Sequence, residues 1–185
     1  MQKHQAFASA LLFAAASVLA TTSVPANAQG RAALDADAKK AYSKLVSTVP
    51  AANAVGKKAV AVLVFPKIIK AGLMVGAQTG DGVLMRGGKA VGYYNTSGVS
   101  YGLQAGAQEF GYAMFFMNEK ALAALSEASG FEVGVGPSVV VVDQGMAKSA
   151  TSITMKDDIY AFVFAQQGLM AGVGLQGNKI TKLAK

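Results

Sequence analysis

The chain has 185 residues, with 17 Lys and Arg against 10 Asp and Glu, no cysteine, no tryptophan and a single histidine. No disulfide can form. Beyond His4, the chain has neither a zinc or copper site of the His/Cys kind nor a Ser–His or Cys–His nucleophile pair. Charged residues make up 15%, against about 25% in an average globular chain. The surface is therefore basic but sparsely charged, which suits an anionic partner as well as plain solubility.

Lys3 and His4 precede an apolar, Ala-rich stretch from Ala6 to Ala20, and Ala26-Asn27-Ala28 ends it. A basic start, an apolar middle and an A-x-A end predict a secretory signal peptide over residues 1–28, cleaved after Ala28. The stretch is shorter than the about 20 apolar residues of a retained membrane span. Residues 29–185 then form a single domain, exported to the periplasm or cell envelope, and cleavage removes the only histidine.

Gly30 to Val49 reads as a helix, with Leu34, Ala38, Ala41, Leu45 and Val49 at helical spacing. Lys39, Lys40 and Lys44 lie off that stripe. Such a helix either packs on the domain with a solvated Lys face or lies on a membrane. Pro50 ends it or opens a short second helix through Val55. Lys57 and Lys58 lead into an apolar, β-branched strand, Ala59–Phe65, which Pro66 should stop. Lys67 and Lys70 then flank Ile68 and Ile69.

A glycine phrase follows, Gly72-Leu73-Met74-Val75-Gly76-Ala77-Gln78. It returns as Gly102–Gln108 and again as Gly168–Gly174. On a strand, Gly72, Met74, Gly76 and Gln78 share one face and Leu73, Val75 and Ala77 the other. Either the glycines relieve crowding where a curved sheet bends over itself, or the bare face admits a ligand close to the backbone. Thr79–Gly82 and Arg86–Lys89 are turn signals, with a strand between them. Val91–Asn95 and Glu109–Met117 are further strands. Asn118 caps a short helix, Glu119–Ser129, that Gly130 closes. Phe131–Asp143 resumes strand with a bend at Gly134–Pro137, and Gln144–Thr151 is loop. Thr154–Phe164 is strand, turned near Asp157-Asp158, and Ile180–Leu183 is the last.

Eight to ten short strands joined by hairpin signals, with two or three helices, predict an α+β fold. Its sheet is mainly antiparallel and strongly curved or barrel-like, with the helices covering it. An eight-stranded outer-membrane barrel competes. The helices, the non-alternating runs Val60–Phe65 and Val139–Val142, and the C-terminal Lys185 oppose it.

The runs VLVFPKIIKAGLMVGAQTGDGVL, SYGLQAGAQ, FEVGVGPS and IYAFVFAQQGLMAGVGLQGNKI resemble the SYLF domain, in order, from about Asp35 to Lys182. The resemblance implies a lipid-binding family present in bacteria and in eukaryotic membrane-traffic and actin-patch proteins. Eukaryotic members bind phosphoinositides largely through a basic amphipathic N-terminal helix, and some bind actin. The corresponding segment here is Arg31–Lys58, downstream of a signal peptide, where neither of those eukaryotic ligands is expected.

The residues point to lipid or membrane binding through cations and adjacent apolar side chains. A hairpin centred on Asp81 would set Arg86 opposite Val75 or Gly76, and Lys89 opposite Gly72 or Leu73. Lys67, Lys70, Arg86 and Lys89 would then converge as a basic rim beside Ile68 and Ile69, with Lys57 and Lys58 as further phosphate-compatible charge and Tyr94 as a further apolar contact. At about 1 kcal/mol per cation near an anionic surface, four to six could hold the protein on anionic phospholipid. The plainer reading is a solvated edge whose lysines discourage strand aggregation. The alternative function is a structural or interaction protein of the envelope that binds protein or polysaccharide. An enzyme is disfavoured: Asp157-Asp158 is the only paired carboxylate, and neighbours on a strand face opposite ways. No catalytic residue, metal, cofactor or nucleic-acid partner is expected.

Overall fold

A computed structural model describes residues 26–127, 129–142, 155–168 and 175–184. The third glycine phrase and the Gln144–Thr151 loop fall almost wholly outside these residues. Helix α1 (Ala26–Thr48) is followed by α2 (Pro50–Gly56), which Pro50 opens at its first turn. Two long strands follow, β1 (Ala61–Arg86) and β2 (Lys89–Phe116), then a short helix α3 (Glu119–Ala123). Asn118 caps α3, its side chain accepting from the Ala121 N–H at 2.8 Å. A 3-10 turn at 124–126 leads to β3 (Phe131–Glu132), β4 (Val139–Val142), β5 (Ile159–Gly168) and β6 (Lys179–Lys182).

The expected α+β class and strongly curved, mainly antiparallel sheet are the observed ones. Among the described residues the sheet has six strands in the order β3-β6-β2-β5-β4, with β1 on the other edge of β2. β4 pairs with β5 in parallel, while the remaining pairs are antiparallel. The strand count differs from expectation because several apparent turns are not turns. β1 is 26 residues long and runs through both Pro66 and Thr79–Gly82. Pro66 falls at a register shift between Phe65 and Ile68, where its missing N–H interrupts no ladder bond. The hairpin turn is Gly87-Gly88, both at positive φ, between the paired Arg86 and Lys89. Two successive positive φ values are what a tight hairpin loop requires.

β1 also folds over on itself. A Cβ on Gly82 would lie 2.5 Å from the Phe65 ring, and one on Gly80 would lie 2.8 Å from Ile68 Cγ1 and 2.5 Å from the Lys67 carbonyl. At the bend, a Cβ on Gly72 would run into the backbone of Val75 and Gly76. The two limbs of β1 therefore face each other as Phe65–Gly82, Ile68–Gly80 and Gly72–Gly76. Glycine is required on one limb because the backbones approach too closely for a second side chain. Of the two readings of the glycine phrase, crowding relief at a bend is the one these contacts carry.

Two apolar cores result. Inside the curl, Leu63, Phe65, Ile68 and Leu84 pack with Tyr94, Phe110, Tyr112 and Phe116, closed by Leu125, Phe131 and Ile180. Outside it, Val62, Val64, Val83, Met85 and Phe115 pack against Ala38 and Leu45 of α1 and Ala52 and Val55 of α2. The helical stripe predicted for α1 thus has its partner in the sheet, and Lys39, Lys40 and Lys44 stay exposed. Arg31 lies over the Tyr93 ring at 5.1 Å and the Tyr93 hydroxyl bonds Asp35 at 3.2 Å, pinning the start of α1 to β2.

Candidate functional site

The bend of β1 makes an apolar corner. Leu73 is 75% exposed, Met74 69% and Val75 52%, and Ile69 and Val99 are also more than half exposed. The predicted alternation breaks here. Met74 has a φ of 58°, and the register shifts between Leu73 and Val75. Met74 therefore turns outward with both neighbours instead of sharing the face of Gly72 and Gly76. A non-glycine residue at positive φ costs roughly 1–3 kcal/mol and persists where the surroundings demand it; here the tight Gly72–Gly76 crossing demands it. On the outward face, Val99 is the register partner of Ala77 and Ala107 that of Ala71. Leu73, Met74 and Val75 are thus exposed together at the tip of the bend, with Ile69 and Val99 exposed on the limbs behind it.

Beneath the corner, on the inward face, lies a buried polar layer. Lys70, Gln78, Gln108 and Asn178 are each at least 94% buried. Lys70 and Gln108 are register partners across β1 and β2. Lys70 and Gln78 stand between the Ile68–Gly80 and Gly72–Gly76 contacts, one on each limb of β1. Gln78 Nε2 donates to Asn178 Oδ1 at 2.7 Å. Asn178 reaches this bond over Gly98, where a Cβ would collide with its Oδ1. Gln108 Oε1 and Asn178 Nδ2 are buried and have no hydrogen-bond partner.

The predicted rim does not assemble. The hairpin turns at Gly87-Gly88 rather than Asp81, so Gly72 pairs with Gly106, and Arg86 with Lys89. Arg86 instead forms an ion pair with Glu119, just past the end of β2. Lys57 and Lys58 precede the point where Val60 N–H bonds the Phe116 carbonyl. Lys57, Lys58, Arg86 and Lys89 therefore belong to the end of the sheet opposite the corner. Lys70 is 3% exposed and does not emerge at a rim. Ile68 and Tyr94, proposed as surface contacts, are core residues. Ile69 is exposed as expected. Lys67 is exposed but pairs with Glu109 at 2.7 Å.

Three of the corner residues escaped the sequence reading because period-two alternation hides a bulge. Gln78 and Gln108 carried a signal: each ends a glycine phrase on the stripped face. Asn178 had none in sequence, since its place comes from β6 pairing with β2.

Among the described residues no group of three or more His, Cys, Asp or Glu could hold a metal ion. Asp157 and Asp158 share no site. Asp157 bonds the Tyr160 hydroxyl, while Asp158 accepts from Asn118 Nδ2 at 2.8 Å and Ser138 N–H at 3.1 Å. The Asn118 and Ser138 bonds hold the Asp158 carboxyl below its ordinary value. No helix among the described residues is long and apolar enough to cross a membrane.

Residues 97–185 match the family model Ysc84, described as Las17-binding protein actin regulator. The match bears out the SYLF resemblance over residues 97–185. The matched segment starts inside β2, and β1 pairs with β2 on both sides of that point. The SYLF match and the segment before it thus share one sheet. No curated protein matches the chain.

Proposed function

We propose that this SYLF domain is an exported, non-catalytic lipid-binding module that meets the membrane surface through the apolar corner of its folded hairpin. The observation that carries the proposal is the exposure of Leu73, Met74 and Val75 together at one bend. A contiguous apolar patch of this kind on a sparsely charged protein marks a contact surface. Three large side chains offer roughly 1.5–3 kcal/mol each on full burial, enough to dominate over a few screened lysines. The basic net charge adds a long-range preference for anionic bilayers. Lys57, Lys58, Arg86 and Lys89, at the far end of the sheet, are assigned no direct contact.

Liposome flotation across a salt series tests the proposal. The wild-type chain floats with anionic vesicles. Leu73→Ser/Met74→Ser/Val75→Ser keeps the fold, because all three are exposed, and loses most of that binding. Changing Lys57, Lys58, Arg86 and Lys89 to Gln removes only a salt-sensitive fraction. A wild-type protein that floats with no vesicle rejects the lipid reading. It would favour a protein partner, the kind of role the family description names, or an envelope polysaccharide. Export rests on the Lys3–Ala28 pattern: the N-terminal sequence of the envelope product begins at Gln29, and an intact Met1 rejects it.

A further inference from the structure

We propose that Lys70, Gln78, Gln108 and Asn178 form an interior binding site for one compact oxyanion head, a phosphate or a carboxylate bearing a hydroxyl. The lipid-binding reading bears only on the source of that head. The site itself stands on unmet polar groups.

Lys70 is 3% exposed, and no carboxylate among the described residues pairs with it. Its closest acidic neighbour across the ladder, Glu109, lies next to its partner Gln108 and so points to the opposite face, where it pairs with Lys67. Gln108, paired with Lys70 across the strands, has a buried Oε1 without a donor. Asn178 spends Oδ1 on Gln78 and leaves Nδ2 buried without an acceptor. Buried polar groups are nearly always satisfied, yet Gln108 Oε1 and Asn178 Nδ2 in this layer are not.

Their needs are complementary. Lys70 Nζ lacks an anion, Asn178 Nδ2 lacks an acceptor and Gln108 Oε1 lacks a donor. An oxyanion with one hydroxyl meets all three: its charged oxygens accept from Lys70 and Asn178, and its O–H donates to Gln108. A metal cation is repelled by Lys70, and an apolar ligand leaves every group unmet.

The test is calorimetric titration and thermal melting of the full chain with inorganic phosphate, with dihexanoyl phosphatidic acid below its micelle threshold, and with uncharged dihexanoylglycerol. Phosphate or the phosphatidic acid binds at one equivalent and raises Tm; dihexanoylglycerol does neither. Lys70→Met weakens binding at least tenfold, because it removes the charge that would meet the oxyanion. Gln108→Leu weakens binding several-fold and decides the matter if Lys70→Met does not fold. Equal affinity for phosphate and phosphatidic acid assigns a free oxyanion. Tenfold tighter phosphatidic acid assigns a lipid head. The proposal is overturned if neither anion binds the wild type or if the variants bind as tightly as wild type. Anion binding without any flotation would reject the membrane reading and leave this one standing.

Discussion

The backbone of Gly76 occupies the place where a side chain on Gly72 would stand. This crossing within one strand folds β1 onto itself, pushes Leu73, Met74 and Val75 outward and draws Lys70 and Gln78 inward. The candidate contact surface and the buried polar layer are two faces of the same bend.

The bend should be intolerant of a single methyl group. In Gly80→Ala the new Cβ would sit 2.5 Å from the Lys67 carbonyl and 3.1 Å from Ile68 Cα. Both are backbone atoms, so the limbs themselves must part. Overpacking of this kind costs about 1–3 kcal/mol, read as a lower urea midpoint. Gly88→Asn is the control, because Gly88 has nothing within 4 Å and Asn tolerates its positive φ. Its midpoint stays close to wild type.

Acid should loosen the joint between α3, β4 and β5. Asp158 is held below its ordinary 3.8 by the Asn118 and Ser138 hydrogen bonds. Its folded value is depressed, so its stabilising contribution is present above pH 3.8 and is lost as pH falls through the folded value. Asp158→Asn removes that titration. Its stability-against-pH curve is flatter than wild type below pH 4, measured by denaturant unfolding at fixed pH steps.

Alkali acts on the inner core. Tyr112 is fully buried and donates to Thr96 Oγ1 at 2.9 Å. Burial pushes its hydroxyl well above the ordinary 10, with the Thr96 bond pulling weakly the other way. A raised folded value leaves the contribution intact below pH 10 and lost as pH rises toward the folded value. Tyr112→Phe costs about 1–2 kcal/mol at neutral pH through the lost bond. It also makes stability fall less steeply above pH 10. An ultraviolet tyrosinate titration shows one fewer late-ionising group.

The helices, the fold class and the Gly87-Gly88 turn were legible in the sequence because each has a local cause: a 3.6-residue stripe, a Pro at a helix start, paired glycines. The basic rim was not. Asp81-Gly82 has the composition of a hairpin turn, yet β1 continues through it. Gly80 and Gly82 are needed there for contact with Ile68 and Phe65, which lie on the other limb. One displaced turn shifted every partner of Arg86 and Lys89. The same glycines carried two meanings, and only the tertiary fold chooses between them.

Helix α1 is the remaining place where basic charge and an apolar stripe coincide, and the SYLF resemblance directs lipid binding to such a helix. Its stripe is already occupied: Ala38 and Leu45 are buried against a core that includes Val62, Val64, Met85 and Phe115. Presenting that face to a bilayer would require stripping it from the sheet. Leu45→Ala should therefore act on stability, lowering it by about 2–5 kcal/mol as buried Leu-to-Ala changes do. Lys39→Gln/Lys40→Gln/Lys44→Gln changes only exposed side chains and should leave unfolding within about 0.5 kcal/mol of wild type. In flotation at high salt, where exposed charges are screened, this triple variant binds as wild type does and the Leu73–Val75 serine variant does not. If the ranking is reversed, with the lysine variant losing binding in high salt and the corner variant retaining it, α1 is the membrane contact and the corner is not.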